Sequence, residues 1–352
     1  MKNNQFYNLT LFAPWIGTEN MGDKIIQQYC NNIIDSLFPH SFTIDIPTRN
    51  ELVNKNYIQL KKSDYSFICG TNLLNSHMKR NRSWNIDINS VKKQFLLVNG
   101  KKAFIKHPIS ALRSLRNSEV FFDNTILLGV GWGMYQGSPD NYTARLLKLL
   151  LSSSKLHSVR DSYTENKLKQ CGITNVINTG CPTMWNLTNS FCKKIPSCKS
   201  SNVITTLTNY NRDTKKDFEL INLLLKNYQA VYIWIQAAED YDYLKDLGCE
   251  KKLKIVSPSL DDYSSVLNQD DIEYIGTRLH AGIFSLNKMK RTLIVGVDNR
   301  SFEIAKDTNL PVINRSLDLD KLEYLINQDR DTEIVIPEKN INTWKKQFSI
   351  DL

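Results

Sequence analysis

Through the second half of the chain, apolar runs of strand length at 203–207, 231–235, 253–256, 273–275, 292–297 and 311–313 alternate with helix-compatible stretches. That alternation predicts βαβ units and a parallel sheet covered by helices on both faces. The first half repeats it less regularly, with a strand at 9–15, a loop at 16–21, a helix over 22–36, strands at 65–69 and 125–130, and a helix over 142–152. One stretch breaks the rhythm. Residues 95–98 and 103–106 flank Asn99-Gly100, a dipeptide that fits a type I′ turn, and predict a hairpin inserted near 94–107. The stretch 192–202, polar and small with one proline, has the composition of an exposed linker and puts a domain boundary near Ser200. The expected fold is α/β, with two Rossmann-like domains over 1–199 and 200–352 facing a central cleft, where the C-terminal ends of both sheets hold ligands. Residues 337–352 predict a last helix with no legible docking site.

Composition narrows the class. A chain of 352 residues that is 41% apolar has room for two hydrophobic cores, which excludes a disordered tail or a disulfide miniprotein. The 45 Lys+Arg against 36 Asp+Glu give a formal charge of +9, a bias towards anionic ligands or surfaces that does not require nucleic acid. The seven cysteines show no CxxC pair and read as reduced thiols, and the N-terminus lacks a signal-peptide core, so a soluble cytoplasmic protein is expected. Gly129-Val-Gly131-Trp-Gly133 invites a dinucleotide reading, but the last glycine of that fingerprint would fall at Met134 and no P-loop lysine is present, so NAD and P-loop ATP are rejected. Asp240-Tyr-Asp242 and Asp318-Leu-Asp320 look like metal-holding pairs for nucleotide sugars, yet both sit in helical, polar contexts. With the histidines scattered as well, no metal is expected.

Candidate chemistry collects where strands end. After the strand ending at Gly276, Thr277 is a good N-cap, which would put Arg278 and His280 in a helical first turn, where free N–H groups and the helix dipole already favour an anion. A surface pair for Arg278 and an interior role for His280 fit the spacing equally well. Arg160-Asp161 ends another short strand before Ser162-Tyr-Thr-Glu165, a capping-box pattern, and a plain Arg160–Asp161 surface pair is as common. Arg300 follows the strand at 292–297, with Ser301 available to cap, so that Arg278, His280 and Arg300 converge at one sheet edge. In the first half, Asn20 and Asp23 in the loop 15–23 can bond hydroxyls, and Trp132, Tyr135 and Gln136 form either an aromatic and amide wall or core.

Taken together, Asn20-Met-Gly-Asp23, Cys69-Gly-Thr71, Ser158-Val-Arg-Asp161 with Tyr163-Thr164, Thr179-Gly-Cys-Pro-Thr183, Gly276-Thr-Arg-Leu-His280 and Asp298-Asn-Arg300 resemble the polysaccharide pyruvyl transferase family, over roughly residues 8–315. The resemblance implies a GT-B-like architecture, with the acceptor on the N-terminal side and the donor on the C-terminal side. It implies transfer of pyruvate from phosphoenolpyruvate, as co-substrate and with no other cofactor, to two hydroxyls of a sugar as a cyclic ketal. Carried onto this chain, the donor residues are Arg160, Arg278, Leu279, His280 and Arg300. Ala281, where glycine is frequent, and the 95–106 hairpin depart from the family pattern.

Residue chemistry fits that implication. A donor with a carboxylate and a phosphate calls for planar guanidinium donors and helix N–H groups. Protonation of the enol methylene calls for an acid near neutrality, for which His280 is the candidate, with phosphate holding as its other role. Asp23 is the candidate base, and Asn20, Trp132 and Tyr135 the acceptor contacts. The acceptor is expected to be a saccharide or lipid-linked saccharide, with peripheral contact at the inner membrane face. The rivals are a nucleotide-sugar glycosyltransferase of the same architecture and a non-catalytic binder of anionic glycans.

Overall fold

The computed structural model describes residues 6–80, 84–98 and 122–349, and they divide into two units. One comprises Met1–Thr18, Ile26–Pro182 and Pro337–Leu352, the other Glu19–Ile25 and Thr183–Ile336. The change of unit comes at Pro182/Thr183 rather than near Ser200. The polar stretch there is not a free linker: Lys199 donates to the Asn227 carbonyl at 2.7 Å, and the Ser201 N–H donates to Asp271 at 2.7 Å. No helix among the described residues is long and apolar enough to cross a membrane.

In the first unit, β1 (Tyr7–Ala13), β2 (Ser41–Pro47), β3 (Tyr65–Cys69) and β4 (Thr125–Leu128) form a parallel sheet in the order β2-β1-β3-β4. β5 (His157–Val159) pairs with β6 (Val176–Asn178), and a Val130–Val159 bridge with a Gly129 N–H to Ser158 carbonyl bond of 3.0 Å joins that pair to the end of β4. The inner strands are buried on both faces, as the near-continuous apolar runs require. The C-terminal helix Glu338–Lys346 belongs to this unit because Trp344 and Phe348 enter an aromatic cluster with Phe38, Tyr65 and Phe67. The Phe348 ring lies 5.5 Å from Phe38 and 5.6 Å from Phe67.

The expected hairpin is corrected in the part that is described. Residues 95–98 end the helix Ile88–Val98, while 99–107 lie outside the described residues. Asp87 caps this helix, accepting from the N–H groups of Asn89 and Ser90 at 2.8 and 3.0 Å, and a short apolar run is ambiguous until such a cap fixes the period.

His157 on β5 is fully buried, accepting from the Leu127 N–H at Nδ1 (3.3 Å) and donating from Nε2 to the Ser152 carbonyl (2.9 Å). Both bonds fit the neutral ring, and burial pulls its pKa down to about 4. The unfolded chain therefore binds a proton below about 6.5 that the folded chain refuses until about pH 4. Stability is expected to be level above pH 6.5 and to fall on acidification, by ~2 kcal/mol between pH 7 and 5 from this group. Urea unfolding of wild type and His157→Gln at the two pH values checks it, since only the variant should lose this slope.

The second unit carries β7 (Asn202–Thr205), β8 (Ala230–Trp234), β9 (Lys254–Val256), β10 (Ile272–Gly276), β11 (Thr292–Gly296) and β12 (Val312–Asn314), all parallel, in the order β12-β11-β10-β7-β8-β9. Counted within the unit this is 3-2-1-4-5-6, the doubly wound order whose direction reverses between the first and fourth strands. The reversal falls between β7 and β10. Val203, Ile221, Leu224, Ile233 and Ile275 pack the core on one face, while Trp234 stacks on Tyr263 at 3.9 Å.

Candidate active site

Chains leaving neighbouring strands at a switch point turn to opposite faces, which opens a crevice at the C-terminal ends of those strands. Here the residues after β7 and β10 make it. Their close approach depends on Gly276, where a Cβ would lie 2.6 Å from the Thr206 nitrogen. Thr277 does not cap the helix that follows. Its hydroxyl donates to the Thr206 carbonyl at 3.1 Å and lies 2.8 Å from that of Thr208. Arg278 occupies the N-cap position of the helix Leu279–Asn287, with no side-chain cap bond, so buried Leu279 and His280 stand in the first turn.

Arg278 is fixed from three sides. Its Nε donates to the Leu207 carbonyl at 2.9 Å, and its Nη2 donates to Asn209 at 3.3 Å and to the buried Asp240 at 2.5 Å. Asp240 is thus the counter-ion of Arg278, while Asp242 pairs with Lys245 at 2.7 Å, so the two aspartates of that motif serve different partners. Asp318 caps the helix Leu319–Asn327.

Arg300 sits in the first turn of the helix Asn299–Thr308. Asp298, not Ser301, is the cap, accepting from the Arg300 N–H at 3.1 Å. The same carboxylate accepts from Arg300 Nε at 2.9 Å and Nη2 at 2.5 Å, and Nη2 also donates to the Tyr210 hydroxyl. The Tyr210 ring lies 5.0 Å from the Arg278 guanidinium and 5.5 Å from that of Arg300. The expected convergence of Arg278 and Arg300 is therefore made through an aromatic ring. Both keep Nη1 without a hydrogen-bond partner among the described residues.

Arg160 belongs to the first unit, where it is 2% exposed. Its Nε donates to Asp161 at 3.1 Å and its Nη2 to Asn72 at 2.5 Å. The pair exists, but it is buried rather than on the surface. Asp161 also caps the helix Ser162–Gln170 through the Thr164 N–H at 2.7 Å, so the expected Ser162 box is displaced by one residue. Gly131 clears the guanidinium: a Cβ there would lie 2.1 Å from the Arg160 Cζ, which explains that glycine by packing.

The other candidates separate. Asn20 and Asp23 group with the second unit; Asn20 Oδ1 accepts from the Gly22 N–H at 3.1 Å, and Asp23 is buried in the first turn of the helix Met21–Leu37. Trp132 is fully buried in the first unit's core, its indole donating to Gln136 at 3.1 Å, which leaves no ring face for a sugar. Tyr135 is 57% exposed and meets Tyr163 edge-on at 5.4 Å. Sequence reasoning missed Asn72, Asn209, Tyr210 and the role of Asp240. The loop after the first strand of a doubly wound unit was the available signal for Asn209 and Tyr210.

Every candidate arginine is thus neutralised by its own aspartate. The second unit's crevice offers directed N–H groups more than net charge, the geometry of a site that orients a flat or tetrahedral anion.

The chain matches the family model described as Polysaccharide pyruvyl transferase over residues 20–299. No curated protein matches it. Among solved structures, UDP-GlcNAc 2-epimerase from Methanocaldococcus jannaschii is similar over 98% of this chain and 99% of that one, at 12% identity and TM-score 0.50. The same enzyme in complex with UDP-GlcNAc and UDP (98% and 98%, 12% identity, TM-score 0.46) and the one from Neisseria meningitidis bound to UDP-GlcNAc (99% and 100%, 11% identity, TM-score 0.43) are also similar. The first likeness is one of fold, and with two parallel Rossmann-like sheets it agrees with the GT-B-like class.

Proposed function

This chain belongs to the polysaccharide pyruvyl transferase family, and from that premise we propose that it moves the pyruvyl group of phosphoenolpyruvate onto two hydroxyls of one sugar, in a cell-surface polysaccharide or its precursor, as a cyclic ketal. The observation that supports this donor is the placement of Arg278 at the switch point of the second sheet, at the N-cap of the helix that carries His280, with Arg300 after the next strand and both Nη1 groups without a hydrogen-bond partner among the described residues. Phosphate and carboxylate oxygens accept from those groups and from the first-turn N–H groups. Arg160 is assigned to the donor through its family motif, and Leu279 by the same route.

In the reaction proposed, His280 gives a proton to the donor's methylene carbon, and the neighbouring carbon becomes electrophilic. One acceptor hydroxyl adds there and loses its proton to Asp23. The bond from that carbon to the phosphate oxygen then breaks, inorganic phosphate leaves with the proton held by Asp23, and the second hydroxyl closes the ring, its proton returning to His280. One diol and one donor give one ketal and one phosphate. Tyr135 offers an exposed ring for the acceptor. The +9 charge favours the anionic inner membrane face, where a lipid-linked acceptor is met.

Mass spectrometry of reactions of phosphoenolpyruvate with candidate saccharides tests this: the product should gain pyruvate less one water. Binding of sugar nucleotides in place of phosphoenolpyruvate would overturn it. His280→Gln should keep donor affinity and lose ~10²- to 10⁴-fold in turnover; an equal loss of affinity would make His280 a phosphate holder.

A further inference from the structure

Tyr210 has no role in the chemistry above, yet its side chain meets both crevice arginines. It is 56% exposed, in the short turn Asn209–Asn211, none of whose residues is buried. Both guanidinium groups pack against the ring, and Arg300 also donates to the hydroxyl. Each guanidinium is already paired with its own aspartate, and contact with an aromatic ring adds to that pairing, so one ring can position both groups without taking either from its carboxylate.

The turn that carries it is held from behind. Asn211, the next residue, donates to the Val297 carbonyl after β11 at 2.6 Å, and its own carbonyl accepts from Arg315 Nη1 at 2.7 Å. Arg315 is in turn fixed by a two-pronged pair with buried Asp217, whose oxygens accept from its Nη2 at 2.7 Å each, and Tyr243 donates to the same carboxylate at 2.6 Å. Three strand ends therefore set the place of an exposed tyrosine, and rigid support of an exposed side chain is what a preorganised site needs.

We propose that Tyr210 is a positioning residue that couples Arg300 to Arg278, so that their free Nη1 groups act together on one anionic group of the substrate. The inference rests on the donor reading for the identity of the substrate, though not for the coupling. Two guanidinium groups set by one ring bind a dianion as a unit, so removing the hydroxyl should matter only while Arg300 is present.

The test is a double-variant cycle with Tyr210→Phe and Arg300→Met, read by calorimetry with inorganic phosphate and with phosphoenolpyruvate. Tyr210→Phe alone should weaken both ligands three- to tenfold and raise KM for the donor with little change in kcat. In the Arg300→Met background it should change nothing further. Tyr210→Ala should lose more than Tyr210→Phe, the ring accounting for the difference, and thermal unfolding should show both variants folded. Unchanged affinities in Tyr210→Phe, or a loss equal in both backgrounds, would overturn the coupling. A wild type that binds phosphate but not phosphoenolpyruvate would sink the donor reading and leave this test intact; one that binds neither overturns both.

Discussion

Arg278→Ala is expected to abolish measurable donor binding and turnover while lowering stability. Its guanidinium pairs with an aspartate that is itself buried, and removing one partner leaves Asp240 with an uncompensated charge, at a cost of ~3 to 5 kcal/mol. The affinity loss has a separate origin: the Nη1 donors go, and truncating a buried charged group of this kind typically costs ~2 to 5 kcal/mol in binding, or roughly 30- to several-thousand-fold. The two effects can be pulled apart. Arg278→Met with Asp240→Asn removes both charges, and the asparagine can still accept from the Gln236 N–H, which now reaches Asp240 at 3.1 Å. That double variant should recover most of the stability and none of the binding. If it binds donor as wild type does, Arg278 is a structural residue and the crevice is not the donor site.

A second large effect lies at the other end of the same sheet. Arg291 and Glu273 form a buried pair at 2.5 Å, Tyr228 donates to the same carboxylate, and Arg291 Nη2 caps the helix Leu319–Asn327 through the carbonyls of Ile326 and Gln328 at 3.1 and 2.8 Å. Burial pushes the Glu273 carboxyl up, against the opposing pull of Arg291 and Tyr228. Burial and the charge of Arg291 together push the Arg330 guanidinium down to about 10. Glu273 is thus a carboxylate whose charge offsets two crowded cations. Glu273→Gln should cost ~3 to 5 kcal/mol, a fall of ~10 °C in the unfolding midpoint of a unit this size. Arg291→Met should cost a similar amount, and the two together much less than their sum, because the second removal takes away a group already left unpaired. Additive losses in the double variant would show that the two residues act separately. Donor binding by either variant, measured where it is folded, should match wild type, since the network lies at the start of β10 and the crevice at its end.

Where the sequence pattern was misleading, the cause is local and physical. Thr277, Ser162 and Ser301 are all acceptable caps, yet the cap falls at Arg278, Asp161 and Asp298. Composition marks the turn, but the exact residue depends on which hydroxyl finds a better partner across the sheet, as Thr277 finds Thr206. The apolar run at 95–98 fits either period, and only the Asp87 cap upstream settles it as helix. Asp240 looks like half of a metal-holding pair because Asp242 is near in sequence, a reading its helical, polar context already set aside. Its true partner, Arg278, is 38 residues away.

By itself the sequence determined the parallel α/β class, the strand ends at which Arg160, Arg278, His280 and Arg300 stand, and the family, because periodicity, glycines and motif order are local properties of a chain. Tertiary structure alone decided that each arginine carries its own aspartate, that Trp132 is core, and that Tyr210 links two guanidinium groups. Those facts depend on which strands are neighbours, and the 3-2-1-4-5-6 order brings together loops after β7 and β10 that lie some seventy residues apart.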